Sequence, residues 1–424
     1  MGRAGMRIEI LCTGDEILTG KTINTNYSHM AWRLGEVGLD VVWGTTVGDD
    51  REALLKAFRE AATRADAVIV NGGLGPTVDD LSQEVAAQAA GVELVLDQEW
   101  LKRMEAFYTR RNRVMPPNNV KQAMLPAGAE FIDNPIGTAC GFAVNIGKTR
   151  FFFTPGVPRE LKKMLDEQLI PRLLKMSGVE SVTRLKRFHS FGIGESRADQ
   201  MLAGIEALAN GVEVKLGFQA HYPQLETKLA ARGANAEGLA RALAPVEAEV
   251  RKRLGNFIIA EDDQTLEGVV LDALRKRGGS LSVAEMFTGG EIAARVSPIE
   301  GAESVFRRGV ISRDLAELSR SIGANASDIS ADSAATLATA LRRGSGASHA
   351  LVSLIDLDQG ADRIEFGGTI CLGIADADTT VSRTARLQGG REWLRIGAAE
   401  LALDCLRRHL LGLPVDERVD FERR

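Results

Sequence analysis

Short apolar runs alternate with amphipathic helical stretches through the first half of the chain. Residues 7–12 predict a first strand, and residues 24–37 a helix with Met30, Leu34 and Val37 on one face. Residues 39–43 predict a second strand and residues 51–64 a second amphipathic helix. Val68, Ile69 and Val70 then form a β-branched run of the kind covered on both faces in a parallel sheet. Strand, helix, strand, helix, strand predicts a doubly wound α/β domain, whose ligands sit beyond the carboxyl ends of its strands. Residues 128–147, rich in Gly and Asn-Pro turns, predict an irregular segment passing over that edge.

The pattern changes after residue 180. Residues 187–191, 212–217 and 225–231 predict strands, with a helix from Arg197 and another over 236–254, which together make a small α+β domain. Residues 262–276 read as a polar linker passing into a helix. Residues 280–284 predict a strand, and 285–290 a turn into a helix through Arg295. The expected domains are therefore 1–175, 180–258 and 264–414.

A chain of 424 residues exceeds one ordinary core, which agrees with several domains. A net charge of −5 with no strongly basic segment argues against nucleic acid as a partner. No apolar run reaches membrane-spanning length, and the N-terminus has no signal-peptide core, so a cytoplasmic protein with no membrane partner is expected. Cys12, Cys140, Cys371 and Cys405 lack paired spacing, which suggests neither zinc nor disulfides. His189 and His221 have no metal-like spacing and read as structural or solvated.

Candidate chemistry concentrates at residues 67–80. Gly72, Gly73 and Gly75 follow the apolar run and permit backbone N–H groups to close on a ligand. The next helix points its positive end at the same place, which favours phosphate. Asp79 and Asp80 repel a phosphate unless a cation lies between, so the stretch reads as a phosphate-and-metal site or as carboxylates that orient hydroxyls and water. A glycine turn capped by Asp79 is the alternative. Two further acidic turns, 14–16 and 48–50, also follow strand ends, and three at one sheet edge favour a site.

Thr13-Gly14-Asp15-Glu16-Ile17-Leu18-Thr19-Gly20, Asn24-Thr25-Asn26, Val47-Gly48-Asp49-Asp50 and residues 72–80 together resemble the N-terminal domain of the CinA family, a relative of the MoaB/MogA molybdopterin-binding fold. Residues 134–139 and 153–160 continue the resemblance. It implies a metal-dependent pyrophosphatase acting on ADP-ribose or similar nucleotides; the molybdopterin relatives bind a pterin phosphate at the same edge. On this reading Asp49, Asp79 and Asp80 are catalytic, with Asp49 and Asp80 holding a divalent metal cation. Gly14, Asp15, Glu16, Asn26, Asn71, Gly72, Gly73, Gly75 and Thr77 contact substrate, as do Gly137, Thr138, Pro155 and Gly156; Ser82 is a polar neighbour. Asp15 and Glu16 bind a sugar hydroxyl or join the metal shell. The turn at Pro155 and Gly156, with the helix begun by Pro158, is either a second anion site or a well-made helix start. A nucleotide is the expected small-molecule partner and a homodimer the expected assembly.

The last third resembles the CinA C-terminal domain, whose best-known members deamidate nicotinamide mononucleotide. Ser280–Gly290, Gly301–Phe306, Gly368–Ile374 and Gly390–Arg395 carry the match. Active members have a Glu-Ser-Cys-Thr-Gly-Gly turn with a nucleophilic serine, and a Tyr and Lys five residues apart that activate it. Here those positions are Met286, Arg313 and Leu318, and the later glycine-rich loop is replaced at 353–358. A thioether has no proton to lose and a leucine cannot act as base, so this domain is expected to have lost the deamidase reaction. Ser282 and Ser304 are nearby hydroxyls with no evident base.

Overall fold

The computed structural model describes residues 6–178, 182–361 and 366–422. They fall into two units, Met1–Arg184 with Arg232–Gly238, and Leu185–Ala231 with Leu239–Arg424. In the first unit, strands β1 (Ile8–Thr13), β2 (Val41–Val47) and β3 (Ala67–Asn71) are followed by a short pair, β4 (Leu94–Leu96) and β5 (Met124–Pro126). Strands β6 (Glu130–Ile132), β7 (Gly141–Ile146) and β8 (Thr149–Thr154) complete it. The main sheet has the order β2-β1-β3-β8-β7-β6, parallel from β2 through β8 and antiparallel beyond.

Successive residues of β3 point to opposite faces, and both faces are covered. Val68 and Val70 join Phe58, Phe142, Phe151 and Phe153 beneath helix Arg51–Arg64, while Ala67 and Ile69 join Met30, Leu34 and Phe152 beneath helix Thr25–Glu36. Phe142 and Phe153 stack with centroids 4.4 Å apart. Each such fully buried ring stabilises the fold by roughly 1.5–3 kcal/mol relative to exposure. Two-sided burial explains why this strand reads as an unbroken apolar run.

Several boundaries differ from the sequence expectation. β2 continues through Gly44, Thr45 and Thr46, because pairing with β1 carries these turn-like residues along the sheet edge. Residues 72–81 form a loop, and the helix begins only at Ser82 with no side chain capping it. Asp79 is therefore not a helix cap. Within 128–147, β6 and β7 belong to the sheet, and only about residues 133–140 are irregular.

Strands β9 (Val182–Phe191), β10 (Val214–His221), β11 (Gln224–Gly233) and β12 (Ile258–Glu261) form a sheet of order β10-β11-β9-β12. Helices Glu195–Leu202 and Ala236–Leu254 pack on it through Ala198, Leu202, Leu243 and Val246. Strands β13 (Leu281–Met286), β14 (Phe306–Ser312), β15 (His349–Leu357), β16 (Gly367–Ala375) and β17 (Thr380–Gln388) form a five-stranded sheet of order β14-β13-β15-β16-β17. β14, β13 and β15 are parallel, and β16 and β17 are antiparallel. Helix Arg391–Leu411 lies against this sheet and is buried on nearly every side. Its buried residues include Leu401, Ala402, Leu406 and, among charged groups, Glu400, Asp404, Arg407 and Arg408. Asp404 receives Arg407 Nε at 2.8 Å and Arg408 Nε at 2.7 Å.

No helix among the described residues is long and apolar enough to cross a membrane. All four cysteines are buried and unbridged.

Candidate functional site

The first sheet's strand order places β1 between β2 and β3, so chain connections leave β1 and β3 in opposite directions. This is the switch point at which doubly wound sheets bind ligands. A cavity of about 380 Å³ lies there. It is lined by Thr13, Gly14 and Glu16 after β1, Asp49 after β2, Gly72–Pro76 with Asp79 and Asp80 after β3, and Pro155–Val157 after β8. Thr138, Ala139, Gln122 and Glu160 close it.

The glycine loop is shaped by close approach. Gly72 has φ +112°, and a Cβ there would lie 2.6 Å from Thr13 Oγ1 and 2.8 Å from Thr13 O. Gly72→Ala is expected to cost about 1–3 kcal/mol through strain and crowding, read as a lower urea midpoint. Gly72 N–H is committed to Thr154 O at 3.0 Å, whereas the amides of Gly73, Leu74 and Gly75 make no hydrogen bond among the described residues. Thr13 Oγ1 is buried without a partner beside them. The loop thus holds donors available to an anion.

Carboxylates face the same cavity. Asp49 is pushed above the usual carboxyl range, chiefly by burial and further by the charges of Asp15, Glu16 and Asp79. Glu160 is likewise raised by burial, while Asn134 Nδ2 donates to its Oε2 at 2.8 Å. Asp79, at the exposed rim, is held below the usual range by a hydrogen bond from Thr77 and by the Lys121 ammonium.

A divalent cation fits this donor set by charge: five carboxylates (Glu16, Asp49, Asp79, Asp80 and Glu160) border one cavity, and burial and like charge disfavour the ionised form of Asp49. They do not form a tight cage, since their oxygens are not gathered within ligand distance of one another. A magnesium-like ion, which keeps several waters and takes one or two carboxylates plus substrate phosphate, suits such spacing.

Other residues expected to touch substrate stand behind the lining. Asn71 Nδ2 donates to Pro155 O at 2.7 Å and Thr154 Oγ1 at 3.2 Å, and Asn26 Nδ2 donates to Asn71 Oδ1 at 2.9 Å and Gly156 O at 2.8 Å. These amides anchor the Pro155-Gly156 turn. Asp15 and Asp49 brace each other reciprocally, Asp15 N to Asp49 Oδ2 at 3.0 Å and Asp49 N to Asp15 Oδ1 at 3.2 Å. Thr77 N donates to Asp80 Oδ2 at 2.8 Å, so that oxygen of Asp80 is partly spent on the loop. Gly137 N donates to Asn134 Oδ1 at 3.1 Å and lies outside the lining, unlike Thr138. Glu160, Thr13 and Gln122 were missed as site residues. A carboxylate in the first turn of a helix begun by Pro158, after a strand end, was the available signal for Glu160.

In the last domain, Met286 ends β13 and Leu318 lies on helix Leu315–Ile322. Both are buried in one apolar cluster with Ala284, Val352 and Leu354. The Arg313 guanidinium lies 5.2 Å from the Phe287 ring centroid, and Phe287 has φ +78°. Glu285 is buried and accepts from Ile292 N at 3.0 Å, Ala293 N at 2.9 Å and Thr288 Oγ1 at 2.6 Å, which caps helix Glu291–Val296. Ser304 Oγ donates to Gly301 O at 2.9 Å, and Ser282 is fully buried. Neither hydroxyl faces a base.

Family models match three segments: "Probable molybdopterin binding domain" over residues 9–175, "Damage-inducible protein CinA KH domain" over 185–260, and "CinA C-terminal domain" over 263–410. A CinA-like protein of Shewanella sediminis is 39% identical over 415 residues, covering 96% of each chain. The chain belongs to the CinA family. Another relative, from Shewanella oneidensis, is 36% identical over 415 residues, covers 96% of each chain, and is named nicotinamide-nucleotide amidohydrolase PncC. A solved CinA structure from Thermoplasma acidophilum is 33% identical, covers 39% of this chain and 98% of that chain, and has a TM-score of 0.36. The CinA chain thus pairs a MoaB/MogA-type N-terminal domain with a CinA C-terminal domain.

Proposed function

We propose that the N-terminal cavity hydrolyses the diphosphate of ADP-ribose or a related nucleotide with a divalent cation, and that the C-terminal domain no longer hydrolyses the nicotinamide amide. The first half rests on one observation: uncommitted loop amides and five carboxylates border a single cavity at the switch point. Amides of Gly73–Gly75 are placed to hold a phosphoryl oxygen. Asp49 and Glu160, whose carboxyls lie above their usual range, are the groups best suited to take a proton from water near neutrality. A bound cation would neutralise phosphoryl charge and lower the pKa of its water. The cavity size suits part of a nucleotide, with the remainder at the open rim.

The second half rests on the packing of Met286 and Leu318 into one apolar cluster, where a serine–lysine pair would be needed. The relative named as an amidohydrolase is the reason to test the opposite reading directly. Full-length protein is assayed with ADP-ribose and nicotinamide mononucleotide in parallel, with and without divalent metals. Metal-dependent AMP and a sugar phosphate, with no deamidated mononucleotide above background, is the expected result. Deamidated product would overturn the lost-amidase half. Tight nucleotide or pterin binding without AMP would replace hydrolysis by a binding or regulatory role.

A further inference from the structure

The sheet edge opposite Met286 carries a second cluster. β13 and β15 run parallel with Leu281 opposite His349, so His349 stands at the amino end of the sheet. Met286 lies five steps along β13 from Leu281, roughly 17 Å of strand. β16 returns antiparallel, which brings Asp376 to the same edge immediately after Ala375. His409, in the last turn of helix Arg391–Leu411, completes the group. One donor atom from each residue lies within 4.8 Å of the others. We propose that His349, Asp376 and His409 form a binding site for a first-row transition-metal ion, with zinc the leading candidate, separate from the N-terminal cavity.

The orientation of each donor supports this assignment. Asp376 Oδ1 accepts from Asp378 N at 2.8 Å and Thr379 N at 2.6 Å, which fixes the carboxylate in its turn. His409 Nε2 meets Asp376 Oδ2 at 2.8 Å, so these two donors already stand side by side. Ser348 Oγ lies 2.8 Å from His349 Nδ1 and is itself held by Ser280 N at 2.7 Å and Ser280 O at 2.9 Å. Engaged on its Nδ1 side, the ring presents Nε2 to an ion, with Ser348 as the outer partner that orients it.

Two imidazoles and one carboxylate suit zinc, iron, nickel or copper better than magnesium or calcium. A helix C-terminus beneath His409 favours positive charge. The ion would tie the start of β15, the β16–β17 turn and the end of a buried helix into one clamp.

The test uses full-length protein carrying Asp49→Asn and Asp80→Asn, so that metal bound at the N-terminal cavity does not enter the count. After chelator treatment, zinc is titrated by equilibrium dialysis and unfolding is followed by temperature. One equivalent of zinc and a raised midpoint are expected. His409→Gln and Asp376→Asn, each checked for folding by circular dichroism, should abolish both effects. Ser348→Ala should weaken binding by about tenfold or more while retaining stoichiometry. Binding of less than one equivalent, or zinc binding unchanged in folded His409→Gln and Asp376→Asn, would overturn the site.

Discussion

Asp79→Asn is expected to lower ADP-ribose turnover by at least about 100-fold, with the unfolding midpoint nearly unmoved. Loss of one charge-stabilising group in a preorganised site has effects of this size. Asp79 sits exposed at the rim of the cavity, and its removal exposes no buried partner. The neighbouring Asp80 makes a useful contrast. Because Asp80 also holds the Thr77 amide, Asp80→Ala should reduce turnover and additionally cost about 1 kcal/mol of stability. Turnover measured as AMP release, beside thermal melts of both variants, separates the two roles. Retained turnover in Asp79→Asn would remove this residue from the mechanism.

The same substitution changes the pH response of Asp49. Burial and three nearby carboxylates raise that carboxyl in the folded protein. With one of those charges gone, the acid limb of the rate profile should move to lower pH. The stability sign is opposite to that of a salt-bridged aspartate. A raised folded pKa means that ionised Asp49 opposes folding, and the penalty disappears as pH falls through that value. Asp49→Asn should therefore maintain or raise the melting point at neutral pH while lowering turnover.

The largest stability loss is expected at Asp404. Its carboxylate is fully buried and shared by Arg407 and Arg408, which are 4% and 0% exposed at their side chains. Asp404→Ala strands two guanidinium groups in the interior, a change that typically costs about 3–5 kcal/mol. For a unit of this size, that corresponds to a fall of roughly 10 °C in the melting midpoint. Glu417 and the carbonyls of Pro414 and Asn256 also receive these arginines, so some compensation remains. A shift below about 2 °C would mean that those acceptors suffice.

What could be read from the chain follows the distance over which each signal acts. The alternation that produces β3 and the periodicity of Arg51–Arg64 and Ala236–Leu254 are local, and these elements appear with the expected character. The glycine loop and its carboxylates were also legible, because residue type and strand-end position alone suggest their chemistry. Their division of labour was not. Asn71 and Asn26 resemble ligand-binding amides in sequence, yet their hydrogens are spent on the turn after β8, some 80 to 130 residues away. Glu160 enters the cavity only because β8 pairs beside β3. The His349–Asp376–His409 group joins residues from two strand ends and a helix end, and no spacing rule anticipates it.

Helix Arg391–Leu411 places an unusual constraint on how this domain can vary in length. Each residue of an α-helix turns the following chain by about 100° and advances it by 1.5 Å. A surface helix tolerates one inserted residue when its new face can still reach solvent. Here a single residue inserted just before Asp404 would move its carboxylate into the apolar place of Cys405 and carry Leu406 into the place of Arg407, beside carboxylate and carbonyl partners. Length changes in descendants of this chain should therefore collect in the turns between elements, and the helix should remain uninterrupted even where individual side chains are exchanged.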